Sequence, residues 1–88
     1  MSETKKIIVY GTPWCGDTRR SRKVFEENNI DYEWININND SQAEAFVKET
    51  NHGFRSVPTI IFPDGSILVE PKDEILIEKL IDTGFIFR

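Results

Sequence analysis

The run Ile7-Ile8-Val9-Tyr10 is short, β-branched and halted by Gly11-Thr12-Pro13, which predicts a buried strand from Lys5 to Tyr10. From Gly16 to Asn28 the positions Ser21, Val24, Phe25 and Asn28 share one helical face, with Arg19, Arg22, Lys23, Glu26 and Glu27 largely around it. Asn28-Asn29 ends that helix. Between Asp31 and Asn38, Tyr32, Trp34 or Ile35, and Ile37 alternate with polar residues, so a second strand is expected with its frame left open. Ser41-x-x-Glu44 has capping-box spacing ahead of Ala43, Ala45, Phe46 and Val47, which predicts a second helix closing at Thr50-Asn51-His52-Gly53. Thr59-Ile60-Ile61-Phe62 and Ile67-Leu68-Val69 flank Pro63-Asp64-Gly65-Ser66, a hairpin signal. Pro71 is expected to open a last helix, whose stripe Leu76, Ile77, Leu80 and Ile81 stops at Gly84.

The order is β-α-β-α-β-β-α. A strand, a helical crossover and a second strand pair in parallel with a right-handed crossover, whereas the hairpin is antiparallel. The expected fold is therefore α/β, a four-stranded mixed sheet with helices on both faces. Its 88 residues form one domain over positions 1–88, with no repeat or linker to divide it. The turn after the first strand lies at the carboxyl edge of the sheet, where a helix begins.

A formal net charge of -4 argues against a nucleic-acid partner or an anionic membrane surface, since both require clustered Lys and Arg. No apolar stretch is long enough to span a bilayer, and the polar start Met1 to Lys6 is followed by no secretory apolar region, so a cytoplasmic chain is expected. Cysteine arithmetic is sharper. Cys15 is the only cysteine and His52 the only histidine, which leaves no intramolecular disulfide and nearly excludes a zinc site, since structural zinc wants four Cys or His ligands.

Pro13-Trp14-Cys15-Gly16-Asp17-Thr18 places that one sulfur at the strand-to-helix turn, beside unpaired backbone N–H groups and the positive end of a helix dipole. A thiolate is favoured there by roughly 0.3 to 2 kcal/mol. Thr18 is a candidate hydroxyl donor to the sulfur. Arg19, Arg20, Arg22 and Lys23 favour the anion further, and Asp17 opposes them. The alternatives are a small buried cysteine without reactivity and a basic helix face that is merely solvated.

Val9-Tyr10-Gly11-Thr12-Pro13-Trp14-Cys15-Gly16 resembles the active-site approach of glutaredoxins. Asn51-x-Gly53-x-Arg55-x-Val57-Pro58-Thr59, followed by Phe62-x-Asp64-Gly65-Ser66, is similar to the actinobacterial mycoredoxin branch of that family. The resemblance implies a thioredoxin-like fold in which Val57-Pro58 is a cis peptide facing Cys15. It also implies a thiol-binding surface of Pro13, Trp14, Arg55, Val57 and Pro58, with Arg55 near a carboxylate of the thiol. A surface role for Arg55 stays open, and Trp14 is either a stacking wall or a cover for the core.

The family's usual second cysteine is Thr18 here, and a hydroxyl cannot attack a disulfide sulfur. A dithiol cycle is excluded. The implied activity is a monothiol one, in which Cys15 reduces mixed disulfides between proteins and a low-molecular-weight thiol, without a tightly bound cofactor and as a monomer. The family's glycine pair is replaced by Val69-Glu70-Pro71, and from Asp64 onward six acids face three bases. The co-substrate is therefore open between glutathione and a mycothiol-like thiol. The rival reading is a [2Fe-2S] carrier, a homodimer holding the cluster by Cys15 and an exogenous thiol. Phe85-Ile86-Phe87 is either a docking patch or a tail folded back on the sheet.

Overall fold

A computed structural model describes residues 6–87, so the expected first strand residue, Lys5, lies outside the described part. The elements are β1 (Ile7–Gly11), α1 (Gly16–Glu27), β2 (Tyr32–Asn36), a 3-10 turn (Ile37–Asn39), α2 (Ser41–Thr50), β3 (Thr59–Ile61), β4 (Ile67–Val69) and α3 (Asp73–Asp82). The order is the expected one. The four strands lie β2-β1-β3-β4, with β1 parallel to β2, antiparallel to β3, and β3 antiparallel to β4.

Period-two alternation divides the apolar residues between the two faces of this sheet. Ile7, Val9 and Ile60 point toward α1 and α3, where they meet Val24, Phe25, Phe62, Leu76 and Leu80 in the larger core. Tyr10, Ile35 and Val57 pack on the other side against Ile37, Ala43 and Val47, beneath α2. The open frame of the second strand resolves into both choices. Tyr32 and Trp34 pack on the α1 side and Ile35 on the α2 side, because this strand has apolar layers on both faces. Its expected last residues leave the sheet: the Asn36 side chain accepts from the Asn38 N–H, and the chain winds into the 3-10 turn.

All three helices end on the same device, a left-handed residue at the first position past the cap and a bond from the following N–H back to the fifth residue upstream. Ile30 N–H bonds the Phe25 carbonyl, Gly53 N–H that of Lys48 and Phe85 N–H that of Leu80, across left-handed Asn29, His52 and Gly84. Two helix starts differ from expectation. The cap of α2 is Asp40, whose carboxylate accepts from the Ala43 N–H, so Ser41 is the first helical residue and no capping box forms. Pro71 lies outside α3, because Lys72 is still extended and serves as the cap. The hairpin turns through Pro63-Asp64-Gly65, with Gly65 at φ 89° and its N–H on the Phe62 carbonyl. The carboxyl-terminal tail folds back: Phe85 and Ile86 pack on the larger core, while Phe87 remains 90% exposed.

One polar cluster fastens β2 to α1. The Tyr32 hydroxyl donates to Glu26 and accepts from Arg22, whose guanidinium lies 3.9 Å from the centre of the Trp34 ring. Burial raises the Tyr32 phenol above its ordinary value of 10.0. Tyr10 is raised too, by burial first and then by Glu33 and Asp40. A group raised in the folded state holds its proton more tightly there. Its contribution is complete below 10.0 and is lost as pH climbs through the folded value. Urea midpoints above pH 10 are therefore expected to fall more steeply in the wild type than in Tyr32→Phe, and equal slopes would contradict this cluster's role.

Candidate functional site

The site is built where β1 hands over to α1. Gly11 ends the strand against the helix: a β-carbon there would lie 2.7 Å from Cγ2 and 2.9 Å from Oγ1 of Thr18. Only a residue without a side chain lets the strand and helix approach this closely. Gly11→Ala is expected to cost about 1 to 3 kcal/mol through that overlap, and to shift the turn carrying Cys15. Denaturant titration checks the first part. An unchanged midpoint would mean that Thr18 yields freely.

The turn closes with the Cys15 N–H on the Thr12 carbonyl at 3.3 Å. Cys15 is the helix cap, and its own carbonyl accepts the first helical bond from Arg19 at 3.0 Å. Its side chain makes no capping bond, so the sulfur stands beside the first-turn N–H groups, partly exposed. The Sγ atom lies 3.8 Å from the Val57 carbonyl oxygen, a thiol donating weakly across 42 residues of sequence. Val57-Pro58 is cis, and Pro58 is buried under it.

The loop bearing Val57 is tied down from below. The Asn51 amide donates to Thr59 Oγ1 at 3.1 Å and to the Val47 carbonyl at 2.8 Å, while Thr59 Oγ1 donates to the Ser56 carbonyl at 2.8 Å. These bonds link the end of α2 to the start of β3 and hold the segment that faces the sulfur. Behind it, the Glu70 N–H bonds the Pro58 carbonyl at 2.9 Å. Glu70 itself is left-handed, at φ 49°, a conformation that suits glycine better than glutamate.

Pro13 and Trp14 are exposed beside the sulfur; Trp14 is 68% exposed and does not cover the core. Thr18 lies fully buried in the first turn, but its hydroxyl has no hydrogen-bond partner. The expected bond from Thr18 to Cys15 is therefore absent, because the side chain turns toward Gly11 instead. Arg55 reaches Glu44 at 2.5 Å and Asn38 at 2.7 Å, so its charge is offset by α2. The Val57 carbonyl meets the sulfur, and the Val57-Pro58 bond is cis as the resemblance implied.

Two contributors escaped the sequence reading. Asn51 and Thr59 read as a helix end and a strand start, with nothing to show that they bond each other. Among the described residues no three His, Cys, Asp or Glu side chains come together as a metal site, and no helix is long and apolar enough to cross a membrane.

The Glutaredoxin family model matches residues 7–67, which spans β1, the Cys15 turn, the Val57-Pro58 loop, β3 and the turn that leads into β4. This chain belongs to the glutaredoxin family. It is 36% identical over 78 residues to a Mycobacterium tuberculosis protein that bears a glutaredoxin name, covering 89% of this chain and 93% of that protein. Mycoredoxin 1 of Corynebacterium glutamicum is 31% identical over 74 residues, 84% of this chain and 91% of the relative. A crystallised thioredoxin-like protein superposes with a TM-score of 0.71 at 26% identity, over 83% of this chain and 97% of that one. The crystal structure of an Archaeoglobus fulgidus glutaredoxin gives 0.67 at 21% identity over 83% of each chain, a likeness of fold. This glutaredoxin thus has the thioredoxin-like fold, and the family's chemistry is thiol-disulfide exchange with a low-molecular-weight thiol as co-substrate.

Proposed function

We propose that this glutaredoxin reduces mixed disulfides between proteins and a small thiol by a monothiol cycle at Cys15. The carrying observation is a partly exposed sulfur at the N-terminus of α1, facing the Val57 carbonyl, in a chain with no other cysteine. The Cys15 thiolate attacks the small-thiol sulfur of the mixed disulfide; a new Cys15 disulfide forms, the old S–S bond breaks and the protein leaves as its thiolate, which takes up a proton. A second small thiol, as its thiolate, then attacks the adduct. It releases Cys15 and departs as the oxidised small-thiol dimer. For each protein thiol restored one free small thiol is consumed: the protein's sulfur falls by one in oxidation number as the incoming thiol's sulfur rises by one, and no step calls on Thr18.

The chain's own parts divide the work. First-turn N–H groups of α1 stabilise the anion on Cys15 whenever it leaves or attacks. The Val57 main chain, held in place through Asn51 and Thr59, offers backbone pairing to the extended small thiol. Pro13 and Trp14 flank the sulfur and give the thiol an exposed wall. Arg55, already paired with Glu44, contributes less to a carboxylate than a free guanidinium would.

Charge selects the thiol. Glu70 stands directly behind Pro58, and Asp73 and Glu74 open α3 a few residues on. A thiol with two carboxylates meets repulsion there, whereas one of the mycothiol type does not. With one protein mixed disulfide made from each thiol, the expected kcat/KM is about tenfold higher for mycothiol than for glutathione. Turnover with neither thiol would overturn the reductase reading, and visible absorbance after anaerobic reconstitution with iron and sulfide would then assign the chain to cluster carriage. A preference for glutathione would overturn the charge selection alone.

A further inference from the structure

Beside the nucleophile, Gly16, Arg19, Arg20 and Lys23 line a shallow groove of about 430 Å³ along α1. The mixed-disulfide cycle makes no use of it. Its charge is available to a ligand in different degrees: among the described residues Arg19 forms no ion pair, Arg20 is paired with Asp17, and Lys23 stands 3.8 Å from Glu27 in an exposed contact of little strength. Arg22 does not belong to it, since its guanidinium is turned inward onto Trp34. The neighbouring helix is opposite in sign. On α3, Glu74, Glu78 and Asp82 recur every fourth residue and line a second groove with Ile77 and Ile81. The two helices pack against each other on one face of the sheet.

We infer that the basic groove of α1 receives an acidic segment of the thiolated protein substrate. This rests on the mixed-disulfide reading. In that exchange the attacked sulfur lies between Cys15 and the departing protein thiolate, which brings the substrate's own chain to the start of α1. A helix rises about 1.5 Å per residue, so Lys23 is about 12 Å along the axis from Cys15. An extended chain covers that in about four residues, at roughly 3.3 Å each. The acids recognised are therefore those within about four residues of the modified cysteine. The chain's overall charge of -4 repels an acidic protein at a distance, but beyond roughly 8 Å in physiological salt that repulsion is screened and the local groove decides. Glu74, Glu78 and Asp82 sharpen the choice, because an acidic segment lying along α3 instead would face them.

The test compares two peptides, each with one cysteine joined to glutathione, one flanked by Asp and Glu and the other by Lys. For the wild type at low ionic strength, kcat/KM is expected to favour the acidic peptide about tenfold, and the ratio falls toward one at about 0.5 M salt. The double variant Arg19→Glu, Lys23→Glu is expected to reverse the preference. Because the readout is a ratio, a general change in turnover cancels. A wild-type ratio near one, or a ratio the double variant leaves alone, overturns the inference while the reductase reading stands. If neither peptide is turned over, whether joined to glutathione or to mycothiol, the reductase reading fails, and the groove is then judged by fluorescence anisotropy of the reduced peptides with Cys15→Ser. Equal binding of the two would overturn it; tenfold tighter binding of the acidic one would support it.

Discussion

Cys15→Ser is expected to lose disulfide exchange by at least about a thousandfold while its thermal midpoint rises by a few degrees. The loss follows from chemistry: a serine hydroxyl is not ionised at neutral pH and does not exchange with sulfur, and this chain holds no second cysteine to take over. The gain follows from position. Cys15 is the cap of α1, yet its side chain makes no capping bond, so the first-turn N–H groups are left without one. Serine is among the preferred cap residues because its oxygen accepts from the N–H two or three positions on, here Asp17 or Thr18, a bond worth about 1 kcal/mol. In a domain of this size that amounts to roughly 4 to 8 °C. The native cysteine thus leaves a helix start underused so that a reactive sulfur can occupy it, an exchange of stability for function at one atom. Mixed-disulfide turnover and calorimetry on the same preparation read both halves. Residual turnover above a tenth of wild type would remove Cys15 from the chemistry, and a lowered midpoint would mean that the thiol supports the cap after all.

Much of this fold can be read in the chain because local signals and packing agree. Ile7-Ile8-Val9-Tyr10 is β-branched and also central in the sheet; Leu76 and Leu80 are helical in spacing and also buried. Discrepancies occur where two residues compete for one job. Asp40 and Ser41 are both good caps side by side, and only the extended backbone at Asp40 decides between them. Pro71 suits a helix start, but the chain needs one more extended residue after β4 before α3 begins. At the site, Cys15 was legible from its turn and helix start. Its partner was not, since no periodicity links residues 42 apart; only the family resemblance pointed to Val57. Thr18 shows the remaining limit. Its burial follows from helical phase, but the direction of its hydroxyl is a rotamer choice set by Gly11, far away in the pattern if not in space.

Phe25→Ala is expected to carry the largest stability cost of any single truncation on α1, about 3 to 5 kcal/mol. The ring is fully buried, stands 5.1 Å from that of Tyr32 and belongs to the core that joins α1 to β1, β3 and α3. Removing it opens a cavity among residues held by sheet and helix backbones, which cannot collapse into the space. For 88 residues, roughly 0.05 to 0.15 kcal/mol per residue amounts to about 4 to 13 kcal/mol in all, so the variant is marginal or unfolded at room temperature. A lowered urea midpoint with unchanged slope would show a folded but weakened domain, and loss of the cooperative transition would show an unfolded one. Phe25→Leu separates packing from chemistry. It keeps most of the volume, is expected to cost well under half as much, and leaves Cys15 some ten residues upstream on an intact helix. Exchange activity should therefore survive Phe25→Leu at temperatures where Phe25→Ala has lost it. If Phe25→Ala shifts the midpoint by less than about 1 kcal/mol, the ring is not the keystone of that core, and the rigidity that holds Cys15 against Val57 must come from the hydrogen bonds of Asn51 and Thr59 on the opposite side of the sulfur.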